Sequence, residues 1–438
     1  MTENGKTSQP HAISKLNRTG WGDREVVITG VGMVTPLGTS TMETWRALCA
    51  GENGVGPITR FDASTFPVQF AAECKDIDII GHEELSERFQ RIVSTQKGKL
   101  AFAAAQEAWV MACVDESTSS RWTEEGRLGV CLGSEAGRPD LATVATQLKH
   151  QRLPSIEDLD LLSPRAPADL VSEMLSATGP VSVVSTACTS SSQAIGEGVF
   201  RIRRGEVDAM MVGGVDVLID PIMVTGFSLL GALSTRNDAP DKASRPFDKD
   251  RDGFVLGEGA GMLLLESLES ARSRGAVILG HLRGFGCSCN AYRITDSPPD
   301  GRGAAQSMID ALRDARLNPE DIGYINAHGT STPMNDPSES RGIQTAFGKW
   351  TSKVPVSSTK SMMGHLVAAC GAVETIVSLL AVREGVLPAT RNLETPDPEC
   401  AIRHIQGGSL RREIDHAMSN AFGFGGSNGT VVVSRWRS

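Results

Sequence analysis

Short apolar, β-branched runs alternate with longer helical stretches along nearly the whole chain, and the theme appears twice. In the first half, strands are expected at 25–31 (EVVITGV), 127–132 (RLGVCL), 180–184, 208–213 (DAMMVG) and 261–266 (GMLLLE), with helices at 41–49, 97–111 and 189–203. In the second, strands are expected at 276–285, 322–327 (IGYINA), 355–357, 416–420 and 430–434, with helices at 303–315 and 365–382. Each half opens on a strand read as running into a glycine turn. Strands interleaved with helices favour a layered α/β fold over a bundle or a sandwich. The similar order of the halves suggests an internal duplication that meets near 270–275. The expected organisation is a flexible N-terminal tail at 1–23, an N-terminal half at 24–272 and a C-terminal half at 273–438.

Composition narrows the function classes. Over 438 residues, 40% are hydrophobic and 22% charged, which suits a soluble folded protein. A net charge of -9 argues against a nucleic-acid binder with a basic surface. The nine cysteines are scattered, odd in number and preceded by no secretory signal. That pattern points to a reducing, cytoplasmic setting in which one thiol is free to act as a nucleophile. No stretch reads as a membrane span. The most apolar region, 209–232, is broken by Asp216, Asp220 and Pro221, and 366–382 contains Glu374, so both read as buried core.

Four segments carry candidate chemistry. In STACTSS (185–191) a strand runs in and a helix runs out, which places Cys188 at a helix start where unpaired amides and the helix dipole favour a thiolate. The ordinary alternative is a small buried hydrophobe, and that reading is taken for the other eight cysteines. In NAHGTSTP (326–333), His328 follows a buried strand, where α/β folds place functional loops; its imidazole could serve a developing oxyanion or simply bond to backbone. Thr330 and Thr332 offer hydroxyls to a polar ligand arm. In SSTKSMMGH (357–365), Gly364 allows close backbone approach, and His365 is read at a helix start where the dipole favours the neutral imidazole. Lys360 lies one short loop away, and Glu374 reads first as half of a structural ion pair. In NAFGFGGSN (420–428), three glycines accompany Phe422 and Phe424, a loop able to supply amide donors and a movable aromatic. No metal is expected: Cys287-Ser-Cys289 lacks a second ligand pair, and the acidic run at 248–253 lacks the closing glutamate of a calcium loop.

Together with VVITGVGMVTPLG, ALSTRND and ASRPFDKDRDGFVLGEGAG, these segments resemble the condensing enzymes of the thiolase superfamily. Within it the chain is similar to the β-ketoacyl synthases of the 3-oxoacyl-[acyl-carrier-protein] synthase II type. The resemblance runs from about Val26 to Val433. It implies a thiolase-like fold of duplicated βαβαβαββ halves in a five-layered αβαβα arrangement, and a homodimer (or a heterodimer with a related subunit). It implies Cys188 as the acyl-accepting nucleophile, His328 and His365 as the pair that assists decarboxylation of a malonyl thioester, and Lys360 as their support. Phe424 would be the gate, with Phe422 beside it, and the amides of Cys188 and Phe424 the oxyanion hole. Thr330 and Thr332 would contact a phosphopantetheine arm, while Glu374, Asp336 and Asn428 would be supporting residues. No tightly bound cofactor is implied, because the arm belongs to an acyl carrier protein that delivers acyl and malonyl thioesters. Arg91 and Arg236 are candidates for docking that acidic carrier.

Departures concern specificity. Residues 135–176 match the family poorly over a dimer-facing region that shapes the acyl pocket, with Ala136 in place of a bulkier residue. Ser191 is expected to narrow the pocket, and Pro337 stands where a basic residue is common. These features keep open a ketosynthase of a dissociated polyketide or other specialised pathway. A non-catalytic chain-length partner subunit would lack the nucleophile. A thiolase would carry a second cysteine near the C-terminal glycine loop, where this chain has FGFGG, and cysteine-peptidase motifs do not fit.

Overall fold

The structure is a computed structural model that describes residues 24–139, 141–153 and 155–437; the tail expected at 1–23 lies outside them. Eleven of the described strands form one sheet. In the first half they are β1 (Val26–Val34), β2 (Leu128–Gly133), β3 (Val181–Val184), β4 (Ala209–Asp216) and β5 (Gly259–Ser267). The second half supplies β6 (Gly280–Cys289), β7 (Tyr324–Asn326), β8 (Pro355–Ser357), β9 (Arg403–His404), β10 (His416–Phe422) and β11 (Ser427–Ser434). Their order across the sheet is β9-β8-β7-β10-β11-β6-β1-β5-β4-β2-β3. With the short edge strand β9 set aside and each half counted from its own first strand, both halves read 3-2-4-5-1. The strand senses repeat as well: first against fifth and fifth against fourth are antiparallel, while fourth with second and second with third are parallel. The halves join where β1 meets β6, through Val27 opposite His281 and Ile28 opposite Gly280.

Four helices set the layers: α1 (Gln96–Met111), α2 (Ser190–Arg203), α3 (Arg302–Ala315) and α4 (Cys370–Glu384). Helix α1 covers β1 and β5 from outside, and α3 covers β6 and β11 in the same way. Between the two half-sheets α2 and α4 pack on each other and on strands of both halves. The result is the expected thiolase-like αβαβα arrangement. Every residue of α4 from Cys370 to Val382 is buried, so its sequence is apolar all round rather than along one stripe.

The glycines that open each half are not turns. Gly30 and Gly32 lie inside β1, where an added Cβ would stand 2.0 Å from the Ala108 and Ala104 carbonyl oxygens of α1. Gly284 and Gly286 lie inside β6, where it would stand 2.4 and 2.1 Å from the Ala311 and Ser307 carbonyl oxygens of α3. The missing side chains let each outer helix sit directly on its strand. The apolar region 209–232 also divides. Its first part is the buried strand β4, but Pro221–Leu229 is a helix in which only Val224 is buried and Leu229 is 84% exposed. Among the described residues, no helix is long and apolar enough to cross a membrane.

Candidate active site

The turn that carries Cys188 follows β3. Ala187–Thr189 forms a 3-10 turn, with Ala187 at φ 52°, and α2 begins at Ser190. The Glu135 carboxylate accepts from the Ala187 amide at 2.9 Å and from the Ser185 hydroxyl at 2.8 Å. The Thr186 amide donates to Ser190 Oγ at 2.9 Å. These bonds hold a backbone conformation that an L-residue adopts only under constraint.

The same construction recurs before α4. After the short helical turn Lys360–Met363 come Gly364 at φ 71° and His365; a 3-10 turn at Val367–Ala369 then starts with Val367 at φ 46° and leads into α4. His365 thus precedes its helix by five residues rather than starting it. The two turns face each other, and Cys188 Sγ lies 3.0 Å from His365 Nε2. His328 leaves the end of β7 and sets its ring edge-on to His365, with centroids 5.3 Å apart, and to Phe422 at 5.7 Å. The side chains of Cys188, His328 and His365 are all buried. They open on a cavity of about 90 Å³, which Thr330, Thr332, Phe422 and Phe424 also line.

Burial sets the protonation states. It pushes the Cys188 thiol up to about 12, against the Lys360 charge and the amides of Phe424 and Cys188, which favour the thiolate. The helix start therefore does not yield a resting thiolate as expected; desolvation of the charged form outweighs it. Burial, then the Lys360 charge, holds both imidazoles well below the usual histidine range, so they are neutral. Desolvation takes the place of the helix dipole expected for His365.

Lys360 is fully enclosed and pairs with Glu374 Oε1. Burial opposes the lysine charge, but the Glu374 carboxylate favours it, and its pKa ends above the ordinary value. Burial lifts Glu374 to about 7 against the pull of Lys360. The expected structural ion pair is present, and it sets a positive charge beside the site.

The supporting residues fix loops. Asp336 accepts from the Phe247 amide at 2.8 Å and the Ser331 amide at 3.2 Å, which ties down the loop of Thr330 and Thr332. Those two hydroxyls lie 2.9 Å apart. The Asn428 amide group donates to Asn290 Oδ1 at 2.8 Å and the Gly426 carbonyl at 3.2 Å, which anchors the turn carrying Phe424. Gly425 and Gly426, at φ 83° and 84°, form that turn. Phe424 itself is only partly buried and packs toward Phe227 at 6.3 Å. Ser191 does not narrow the pocket: its hydroxyl accepts from the Ala372 amide at 3.0 Å, and it is not part of the cavity lining.

Residues 23–271 match the family model for the beta-ketoacyl synthase N-terminal domain, and residues 279–394 match its C-terminal domain. The chain belongs to the β-ketoacyl synthase family. It is 44% identical over 417 residues to 3-oxoacyl-[acyl-carrier-protein] synthase 2 of Coxiella burnetii, covering 94% of this chain and 99% of that protein. Identity to the synthase of the same name from Synechocystis sp. is 41% over 420 residues, again with 94% and 99% coverage. Among solved structures, a beta-ketoacyl synthase from Burkholderia phymatum matches with a TM-score of 0.84 at 34% identity, over 94% of this chain and 100% of that one. A type II PKS acyl-carrier protein in complex with its ketosynthase bound to the hexaketide matches at 0.82 and 31%, with the same coverage.

Two carboxylates at this synthase site were not expected from sequence. Glu339 accepts from the His328 amide at 2.9 Å and the Gly329 amide at 2.7 Å, and the Asn420 side chain donates to it at 3.2 Å. Burial lifts it to about 7. The available signal was its spacing, one helical turn after Asp336 in NDPSES. Glu135 opens the poorly matching segment yet holds the turn that carries Cys188. Arg91 and Arg236 do not line the cavity. Arg91 pairs with Asp158 at 3.7 Å, and Arg236 donates to the Asp250 carbonyl at 3.0 Å. Sγ of Cys188 and one ring nitrogen of each of His328 and His365 lie within 4.8 Å of one another, so the three side chains converge at one point.

Proposed function

We propose that this chain is a 3-oxoacyl-[acyl-carrier-protein] synthase that condenses malonyl carrier with an acyl chain held on Cys188. The supporting observation is Cys188 Sγ at 3.0 Å from His365 Nε2, with His328 edge-on beside it and the Phe424 turn alongside. Sγ attacks the acyl thioester, its C–S bond to the carrier breaks, and the thiol proton leaves on the carrier sulfur. Malonyl thioester then follows, its phosphopantetheine arm bound along Thr330 and Thr332. Its carboxylate departs as CO₂, and the bonding pair becomes an enolate. The neutral imidazoles of His328 and His365 donate to the enolate oxygen, which needs donors in a dry site. The enolate carbon attacks the Cys188 thioester while the amides of Cys188 and Phe424 hold its oxygen. The tetrahedral intermediate collapses with cleavage of its C–S bond to Cys188, the 3-oxoacyl product leaves on the carrier two carbons longer, and the departing Cys188 thiolate regains a proton from water.

The FGFGG turn carries no thiol, and Cys370, beyond the far side of His365, does not line the cavity, which speaks against a thiolase. A nucleophile in contact with His365 speaks against a non-catalytic partner subunit. Segment 135–176 keeps a specialised acyl pathway as the second reading. Mass spectrometry of carrier-bound products from a mixed acyl pool separates the two: efficient extension of ordinary saturated primers is expected, and exclusive use of unusual primers would favour the specialised pathway.

A homodimer fits the terminal strand β3, whose outer edge has no partner strand among the described residues, and the exposed Leu148, Leu153, Ile156 and Leu159. Light scattering is expected to read twice the chain mass, and a monomer would contradict this. Arg91, which is exposed, and Arg236, which is half-buried, are retained as carrier-docking candidates; loss of salt sensitivity in carrier binding on mutating either supports the role. Nine free thiols fit a cytoplasmic location.

A further inference from the structure

We propose that Cys370 is a positioning residue that, together with the Val367 amide, holds His365 Nδ1 as an acceptor. Its Sγ lies 3.0 Å from His365 Nδ1, on the side of the ring opposite Cys188. The Val367 amide also points at Nδ1, at 3.3 Å. An amide N–H can only donate, so Nδ1 must accept and cannot itself carry the ring proton. The neighbouring thiol then faces a lone pair, and its S–H donates. A neutral imidazole has one proton, which therefore sits on Nε2 and points into the catalytic cavity.

The surroundings serve that arrangement. Val367 is β-branched yet sits at φ 46°, a strained conformation that turns its amide back to the ring. Cys370 is the first residue of α4 and is fully buried. Burial raises its thiol well above the ordinary cysteine value, so the proton it donates is retained. Ser190 stands at the matching place in the other half, first in α2 after its own 3-10 turn, and it too spends its side chain on the turn before it. The consequence bears on the step in which His365 must present N–H, not a lone pair, to the enolate oxygen.

This inference rests on the catalytic reading of His365. If that reading were wrong, His365→Ala would retain turnover. Should His365→Ala be inactive while Cys370→Ala matches the wild type, only the role of Cys370 falls. Removing one neutral hydrogen bond should lower kcat for condensation about fivefold to tenfold in Cys370→Ala. KM for malonyl carrier and the rate of Cys188 acylation should be unchanged. Cys370→Ser keeps a donor and should return kcat to within about twofold of the wild type. Failure of serine to rescue, or an equal rise in KM, would mean that Cys370 only packs. In [¹⁵N]histidine-labelled protein, the ring assigned by its loss in His365→Gln should show a bare Nδ1 and a protonated Nε2. A proton on Nδ1 would overturn the proposal.

Discussion

Cys188→Ala is expected to lower condensation by at least about 10⁴-fold, because no other group can hold the acyl chain between the two half-reactions. The same variant should continue to decarboxylate malonyl carrier within about tenfold of the wild-type rate. The reason lies in the geometry. Glu339 holds the His328 backbone and Phe422 packs on its ring, while His365 is held on its far side by Val367 and Cys370, so contacts other than that with the Cys188 sulfur place both side chains. Assay of CO₂ release beside carrier-bound product separates the two activities. Persistent condensation would place the nucleophile elsewhere. Loss of decarboxylation in a folded variant would make the sulfur a participant in that step.

Lys360→Ala should cost about 3–5 kcal/mol of stability, the range for breaking one side of a buried ion pair. Lys360 and Glu374 are 1% and 0% exposed at the side chain, so water cannot replace the lost partner. The deficit should grow with pH. Glu374 is already raised to about 7 with the lysine present, and without it the folded-state pKa moves higher still. A carboxyl whose folded pKa lies above its unfolded value loses stability as pH rises through that range. Denaturant unfolding at pH 6 and pH 8 should therefore show the larger loss at pH 8. Replacing both partners, as Lys360→Met with Glu374→Leu, should recover most of the loss, since no charge is left buried. A deficit independent of pH, or a double variant no better than the single, would contradict this account of the pair.

Much of the fold was legible because strand and helix alternate at periods the side chains report. Ten of the eleven sheet strands fall where apolar runs were read; the exception, Arg403–His404, is a two-residue edge strand with no apolar run. What escaped was set by tertiary contact. Gly30, Gly32, Gly284 and Gly286 look like turn residues until helices lie against them. Asn335–Phe347 is a helix, but it starts in NDPSESRG, where residues of low helix propensity mask the period. Glu339 was hidden with it. The motifs placed Cys188, His328, His365 and Lys360 in the chain, and the fold brings all four to one buried centre. The strained pair of turns at Ala187 and Val367 is backbone geometry, which side-chain patterns do not report. Cys370 read as one more buried hydrophobe because its partner, five residues earlier, reaches it only through that strained turn.

The central claim is that Cys188 carries the acyl chain in transit. Incubation with acyl carrier alone, followed by digestion and peptide mass spectrometry, tests it most directly. The acyl mass should appear on the peptide containing Cys188, and it should disappear when malonyl carrier is added, with a 3-oxoacyl carrier two carbons longer formed in its place. Acyl mass on any other cysteine peptide, or on Cys188 but persisting after malonyl carrier is added, would contradict the account.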